Sequence, residues 1–298
     1  MLLETVVYND NLDNIISNIN EIKYTFENSD ITIGISESVE NNLHYVKIIC
    51  SDKDYNEKIK SKFYVYFSEE LYKYIANEFC KNKLMSLVKD SYFFLNADEI
   101  DDVCKRCSDI ILNYTVINDK NISYINMINS IINKIIECIK ENDEININGF
   151  TTFRMKNIEK DFSDIIDKVI ENYMVEKEYD EFIKLLKYFV DIQDSKVDEL
   201  NIYVDKEGKY LLQDMNGNNV ENKMIDELCD VNVNGVNVDD VLISGLITLS
   251  PKKIVIHCKE SFNNKEIIQT ILNVFENKVF FCDDCKMCRK LKNSLIRQ

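Results

Sequence analysis

Apolar residues open the chain as a continuous run, Leu2 to Tyr8, closed by Asn9-Asp10, and Leu12, Ile15, Ile16 and Ile19 then recur at helical spacing. That change of period predicts a strand followed by a helix. Two β-rich runs come next, Ile31 to Ile35 and Leu43 to Cys50, and the polar stretch between them with Asn41-Asn42 predicts a hairpin with a loose loop. His44 falls in phase with Val46, Ile48 and Cys50, so a half-buried structural place is expected for it. From Tyr55 to about Lys89 the pattern is helical, with Tyr64, Leu71, Ile75, Phe79 and Leu84 on the core side. Asn96 or Asp98 is placed to cap the following helix.

That helix carries Cys104-Lys105-Arg106-Cys107, which out of context resembles half of a zinc or redox site. Ile100, Val103, Cys104, Cys107, Ile111 and Tyr114 nevertheless trace one buried helical stripe, and both thiols are expected to act there as small apolar groups. A further helix, Ile122 to Ile139, leads to Ile145–Phe150, a short strand or turn. The longest helical signal follows, with Ile158, Phe162, Ile165, Ile166, Val169, Ile170 and Tyr173 as one stripe and Tyr179, Phe182, Leu186 and Phe189 as another. Both stripes are expected in the core, on two packed helices or one bent helix.

After Gln193 the texture changes. Leu200–Val204 and Tyr210–Leu212 read as a hairpin around Asp205–Gly208, Asn216-Gly217 and Asn234-Gly235 mark further turns, and Asp239 is placed to cap a helix that Pro251 ends. Lys253 to Cys258, Lys265 to Phe275 and Val279 to Cys282 then read as strand, helix and strand, a βαβ unit with parallel strands. The fold class expected is α+β: a helix-rich N-terminal and central region with a small N-terminal sheet, then a C-terminal α/β part with a hairpin and a βαβ unit. The domains expected are residues 1–195 and 196–298, the second ending in a Cys-rich tail.

Composition narrows the function classes. With 298 residues, 45% of them apolar, the chain can build a real core, and one Pro and six Gly argue against collagen-like or many-turned all-β designs. A net charge of −16 disfavours a nucleic-acid partner, because phosphate binding needs clustered Lys and Arg. No stretch approaches the roughly 20 apolar residues that span a bilayer, and the first residues lack a signal-peptide pattern, so a cytoplasmic protein without membrane insertion is expected. Ten cysteines in that compartment read as reduced groups, either buried, metal-binding or redox-active.

Motifs for phosphate binding, nucleophile elbows and zinc-protease helices are missing, so enzyme activity stays open without a candidate catalytic residue. Arg154 is expected to find an ion-pair partner among the many carboxylates. The exception is Cys282-Asp283-Asp284-Cys285-Lys286-Met287-Cys288, three cysteines at intervals of three where the last strand ends. If the βαβ unit forms, Cys258 ends the neighbouring parallel strand about 4.8 Å away and supplies a fourth ligand, with His257 as its substitute. That edge is where open α/β folds commonly bind ligands. Four thiolates could hold zinc or an iron–sulfur cluster; the other readings of the cluster are redox thiols or a disulfide, and cysteines with no specific chemistry. Lys286, Arg289, Lys290, Lys292 and Arg297 outweigh Asp283 and Asp284 there and favour the thiolate form.

The segments Asn148–Lys156 and Tyr173–Val190, with Leu246–Ile254 and the cysteine-bearing tail, resemble the YtxC-like family of sporulation proteins. The resemblance implies a cytoplasmic protein of endospore-forming bacteria, with unknown sporulation proteins as partners and no assigned activity or catalytic residue. The family's most specific segment runs from Gly149 to Lys156. Chain geometry accounts for it: Gly149 permits a sharp turn before a helix that Phe150 and Phe153 anchor.

Overall fold

The computed structural model describes residues 1–9, 13–113, 122–142, 144–153, 155–204, 209–220, 238–262, 264–282 and 284–289. The fold is α+β, and packing separates two compact units, Met1–Met174 and Val175–Gln298.

In the first unit a four-stranded sheet has the order β2-β3-β1-β4, with β1 Leu2–Asn9, β2 Ile33–Glu40, β3 Leu43–Cys50 and β4 Glu144–Asn146. β1 lies between two strands, antiparallel to β3 and parallel to β4, which explains its unbroken apolar run: Leu3 to Tyr8 are all buried. The hairpin loop is tighter than expected. Asn41 and Asn42 alone join β2 to β3, with φ of 51° and 64°. Two successive left-handed residues match the twist of the flanking strands, and asparagine adopts that conformation more readily than most residues.

Helices α1 (Asp13–Glu27), α2 (Glu57–Asn82), α3 (Leu84–Ser91), α4 (Ala97–Leu112), α5 (Ile122–Lys140), α6 (Ile147–Phe153) and α7 (Met155–Ile192) complete this part. Of the two cap candidates Asn96 is the cap: its side chain accepts from Glu99 N–H at 3.0 Å, and the Glu99 carboxylate accepts from Asn96 N–H at 2.9 Å. Tyr64, Leu71, Ile75, Phe79 and Leu84 are buried as expected. Phe79 lies 4.6 Å from Phe162 between ring centroids, and the buried Tyr72 hydroxyl donates to the Ile111 carbonyl at 2.9 Å. Gly149 sits inside α6, where an added Cβ would make only ordinary contact with Asn146. What starts that helix is Asn146, whose side chain accepts from Gly149 N–H at 2.9 Å, so glycine's backbone freedom is not needed there. Arg154 and the Phe153 side chain lie outside the described residues.

α7 is one continuous helix, and the packing division falls within it. Ile158, Phe162, Ile165, Ile166, Val169 and Ile170 belong to the first core, whereas Ile183, Leu186 and Val190 belong to the second. Of the second stripe, Leu186 is therefore core and the three aromatic residues are not. That aliphatic row faces inward and leaves Tyr179, Phe182 and Phe189 at 38%, 50% and 40% exposure.

The second unit holds a sheet of order β6-β5-β7-β8, with β5 Glu199–Val204, β6 Tyr210–Asp214, β7 Lys253–His257 and β8 Val279–Cys282, and helices α8 (Val238–Leu249) and α9 (Lys265–Phe275). β5 and β6 are antiparallel, while β5–β7 and β7–β8 are parallel, so β7-α9-β8 is the expected βαβ unit. Asn264 caps α9. Asp239 is the second residue of α8, and its carboxylate joins three elements by accepting from the Tyr210 hydroxyl and from Asn264 Nδ2. Gly217 takes φ 81° in the expected turn; the turns expected at Asp205–Gly208 and Asn234-Gly235 lie outside the described residues. β8 is an edge strand with Phe280 and Phe281 exposed, and the Lys253 and Lys259 ammonium groups sit over their rings at 5.5 and 5.0 Å. Among the described residues no helix is long and apolar enough to cross a membrane.

Candidate metal centre

β7 is a buried strand because β5 and β8 flank it, and it ends where Cys258 turns left-handed at φ 50° and ψ 58°. The parallel ladder pairs His257, not Cys258, with Cys282. Cys258 N–H donates to the Cys282 carbonyl at 3.1 Å and closes the ladder. One helical turn then forms at residues 286–289, closed by Arg289 N–H donating to the Cys285 carbonyl at 3.0 Å. Residues three apart share a helix face, so that turn brings Cys285 and Cys288 to one side. Arg289 holds its outer surface through two bonds to Asp284, both 2.9 Å.

The result is a convergence of four side chains. His257 Nδ1 lies 3.5 Å from Cys285 Sγ and 3.4 Å from Cys288 Sγ, the two sulfurs are 3.5 Å apart, and the ligand atoms of His257, Cys282, Cys285 and Cys288 all lie within 4.8 Å of one another. His257 and Cys288 are buried, whereas Cys282 and Cys285 are half-buried. Cys258 is also buried but stands outside this group, with its thiol directed at the Cys288 carbonyl oxygen 3.8 Å away. Of the four tail-site cysteines read from sequence, three converge, and the fourth position is filled by His257.

Neighbouring groups orient the imidazole. Asn201 Nδ2 faces Glu199, which pairs with Lys253 at 2.8 Å; the Asn201 oxygen is thereby turned to His257 Nε2 at 2.9 Å. Nε2 then carries the proton, and the Nδ1 lone pair points at the thiols. Tyr203 stacks on the ring at 4.2 Å and 21°. Asn201 and Tyr203 are not among the candidates that sequence motifs mark; the signal that points to them is the period of two in β5, which puts both on one face next to His257.

Burial holds the His257 pKa below its ordinary value, against the opposing pull of Glu199, so the ring is neutral at pH 7. Burial disfavours Cys285 ionisation, but hydrogen bonds from the Cys288 backbone N–H and thiol outweigh it and hold that pKa down. Burial, together with contacts from Cys258 and Cys285, raises the Cys288 pKa. Tyr203 is pushed up to about 12 by burial and then by the surrounding thiols.

Three sulfurs and one imidazole form a donor set that can hold a metal ion. A tetrahedral site with bonds of about 2.3 Å to sulfur and 2.0–2.1 Å to nitrogen has S···S edges of about 3.8 Å and N···S edges of about 3.5 Å. The His257–Cys285, His257–Cys288 and Cys285–Cys288 spacings of 3.5, 3.4 and 3.5 Å lie close to those edges.

The remaining candidates are structural. Cys104 and Cys107 are buried on α4, with Cys104 at 4.0 Å from the Met85 sulfur, and burial pushes the Cys107 thiol up to about 12. Neither belongs to a metal-competent group among the described residues. His44 sits 2.6 Å from Glu37 through Nδ1 and stacks on Tyr8 at 4.9 Å, a half-buried structural place as expected.

An α+β protein with a thiol–imidazole group at the carboxyl edge of its second sheet is what fold and site together define. The YtxC-like family profile matches residues 65–280, most of the chain, and the chain belongs to that family. It is similar to a Bacillus subtilis (strain 168) protein described as uncharacterized protein YtxC, with 25% identity over 198 residues, covering 66% of this chain and 69% of that one. The family match includes His257 and Cys258 and ends before Cys282. No solved structure matches.

Proposed function

We propose that this is a zinc-binding, cytoplasmic, sporulation-associated protein of endospore-forming bacteria that acts through contacts with other proteins. His257, Cys282, Cys285 and Cys288 are the ligands in this reading, and the metal clamps the loop after β8 onto the end of β7. The observation that carries it is the convergence of four ligand atoms within 4.8 Å of one another. Zinc suits the mixed imidazole and thiolate donors and the tetrahedral spacing. An iron–sulfur cluster suits them less, because its irons and sulfides must fit between the ligands and hold the cysteine sulfurs farther apart.

Four protein ligands close the coordination sphere, which is the pattern of a structural site and agrees with a role in contacts. Reduced thiolate ligands agree with the cytoplasm. The family resemblance supports the sporulation setting. Metal analysis of the full chain purified without oxygen tests the site: one zinc per chain is expected, and cobalt substitution should give the absorption of a tetrahedral thiolate complex. A chain that takes up no metal from excess zinc, or that carries iron with sulfide, overturns the zinc reading.

A further inference from the structure

We infer that the centre is also a peroxide-responsive clasp, in which oxidation joins Cys285 and Cys288 in a disulfide and releases the metal. This rests on the zinc reading above. The two sulfurs are 3.5 Å apart, on residues three apart in one helical turn. That spacing puts their Cα atoms about 5–6 Å apart, inside the range a disulfide spans without backbone rearrangement. Access differs between them: Cys285 is half-buried, whereas Cys288 has 0% exposure. A small oxidant meets Cys285 first. The Cys288 backbone N–H, 3.3 Å from Cys285 Sγ, steadies negative charge on that sulfur. Cys288 then stands behind it as the resolving thiol.

The chemistry balances with hydrogen peroxide as the named oxidant. The Cys285 thiolate attacks one peroxide oxygen, the O–O bond breaks, and the departing hydroxide takes a proton to become water, leaving a sulfenic acid. The Cys288 thiolate attacks Cys285 Sγ, the S–S bond forms, the S–O bond breaks, and a second hydroxide leaves and is protonated. Two thiolates, one peroxide and two protons thus become one disulfide and two waters. The ion loses two of its four ligands and keeps only His257 and Cys282.

The test uses the full chain loaded with zinc and treated with one equivalent of hydrogen peroxide, with a chromogenic chelator reporting free zinc and peptide mapping reporting the bond. One zinc released per peroxide consumed, a Cys285–Cys288 disulfide, and recovery of zinc binding after dithiothreitol are expected. Cys258→Ala should behave the same way. Zinc retained under these conditions, release accompanied by sulfinic acid, or a disulfide to Cys258 or Cys282 overturns the clasp while leaving the zinc site standing. A chain that never takes up zinc before oxidant is added overturns the zinc reading, and the clasp with it.

Discussion

His257 and Cys258 are adjacent in the chain, yet only one of them faces the tail cysteines. The deciding detail is a single backbone angle: the ladder ends with His257 opposite Cys282, and the left-handed turn at Cys258 carries its thiol aside. The sequence marked the three tail cysteines through their spacing and the strand end through its apolar run. Whether His257 or Cys258 joins them is not legible, because a period of two says which residues share a face but not at which residue the strand stops. Asn201 gives this geometry a direct check. Asn201→Leu should weaken zinc binding about 10- to 100-fold in chelator competition, whereas Asn201→Asp, which still accepts from Nε2, should restore most of it. The helical pair behaves in the opposite way. Replacing Cys104 and Cys107 with Ala should cost about 1–3 kcal/mol in urea unfolding and leave the zinc content unchanged. With its pKa pushed up to about 12 by burial, Cys107 is protonated at pH 8 and should resist alkylation until the chain is unfolded.

Elements were legible where the sequence carries both a period and a stop signal. α4 has its apolar stripe and the Asn96–Glu99 capping box, and Asn96→Ala should lower stability by about 1 kcal/mol in denaturant titration. α9 and β8 have the boundaries expected of them. Legibility failed where two readings share one pattern. On the second half of α7, aromatic and aliphatic rows run side by side, and hydrophobicity alone does not say which one meets the sheet. The tightness of the Asn41-Asn42 turn is not legible in the sequence because its special feature is a pair of positive φ angles, which composition only hints at. The tie among β6, α8 and α9 through Asp239 has a pH signature. Burial, followed by the Asp239 carboxylate it bonds to, raises the Tyr210 pKa in the folded state. A raised pKa means that this contribution is complete below the unfolded value of about 10 and is lost as pH rises through the folded value. Tyr210→Phe should therefore flatten the alkaline fall in stability above about pH 10, measured as the denaturant midpoint against pH.

Each of the two units carries its own hydrophobic core, so in the zinc reading metal removal should be felt unevenly across the molecule. A site that does not exist in the unfolded chain contributes its binding energy to folding. Chelation should speed hydrogen exchange in β7 and β8 and leave α2 unchanged, as followed by mass spectrometry. Equal acceleration in both units would contradict a local clamp. One consequence concerns β8 itself. It is a four-residue strand with one neighbour, two exposed phenylalanines and a lysine above each ring. Short length and lysines are the devices that keep a sheet margin from recruiting another chain. In the zinc reading the metal adds a third device by fixing the segment that follows Cys282. Withdrawn from the ion, the protein would present an apolar, partly unguarded margin, and the first visible sign of metal loss would be concentration-dependent self-association through β8, which Phe280→Lys should suppress.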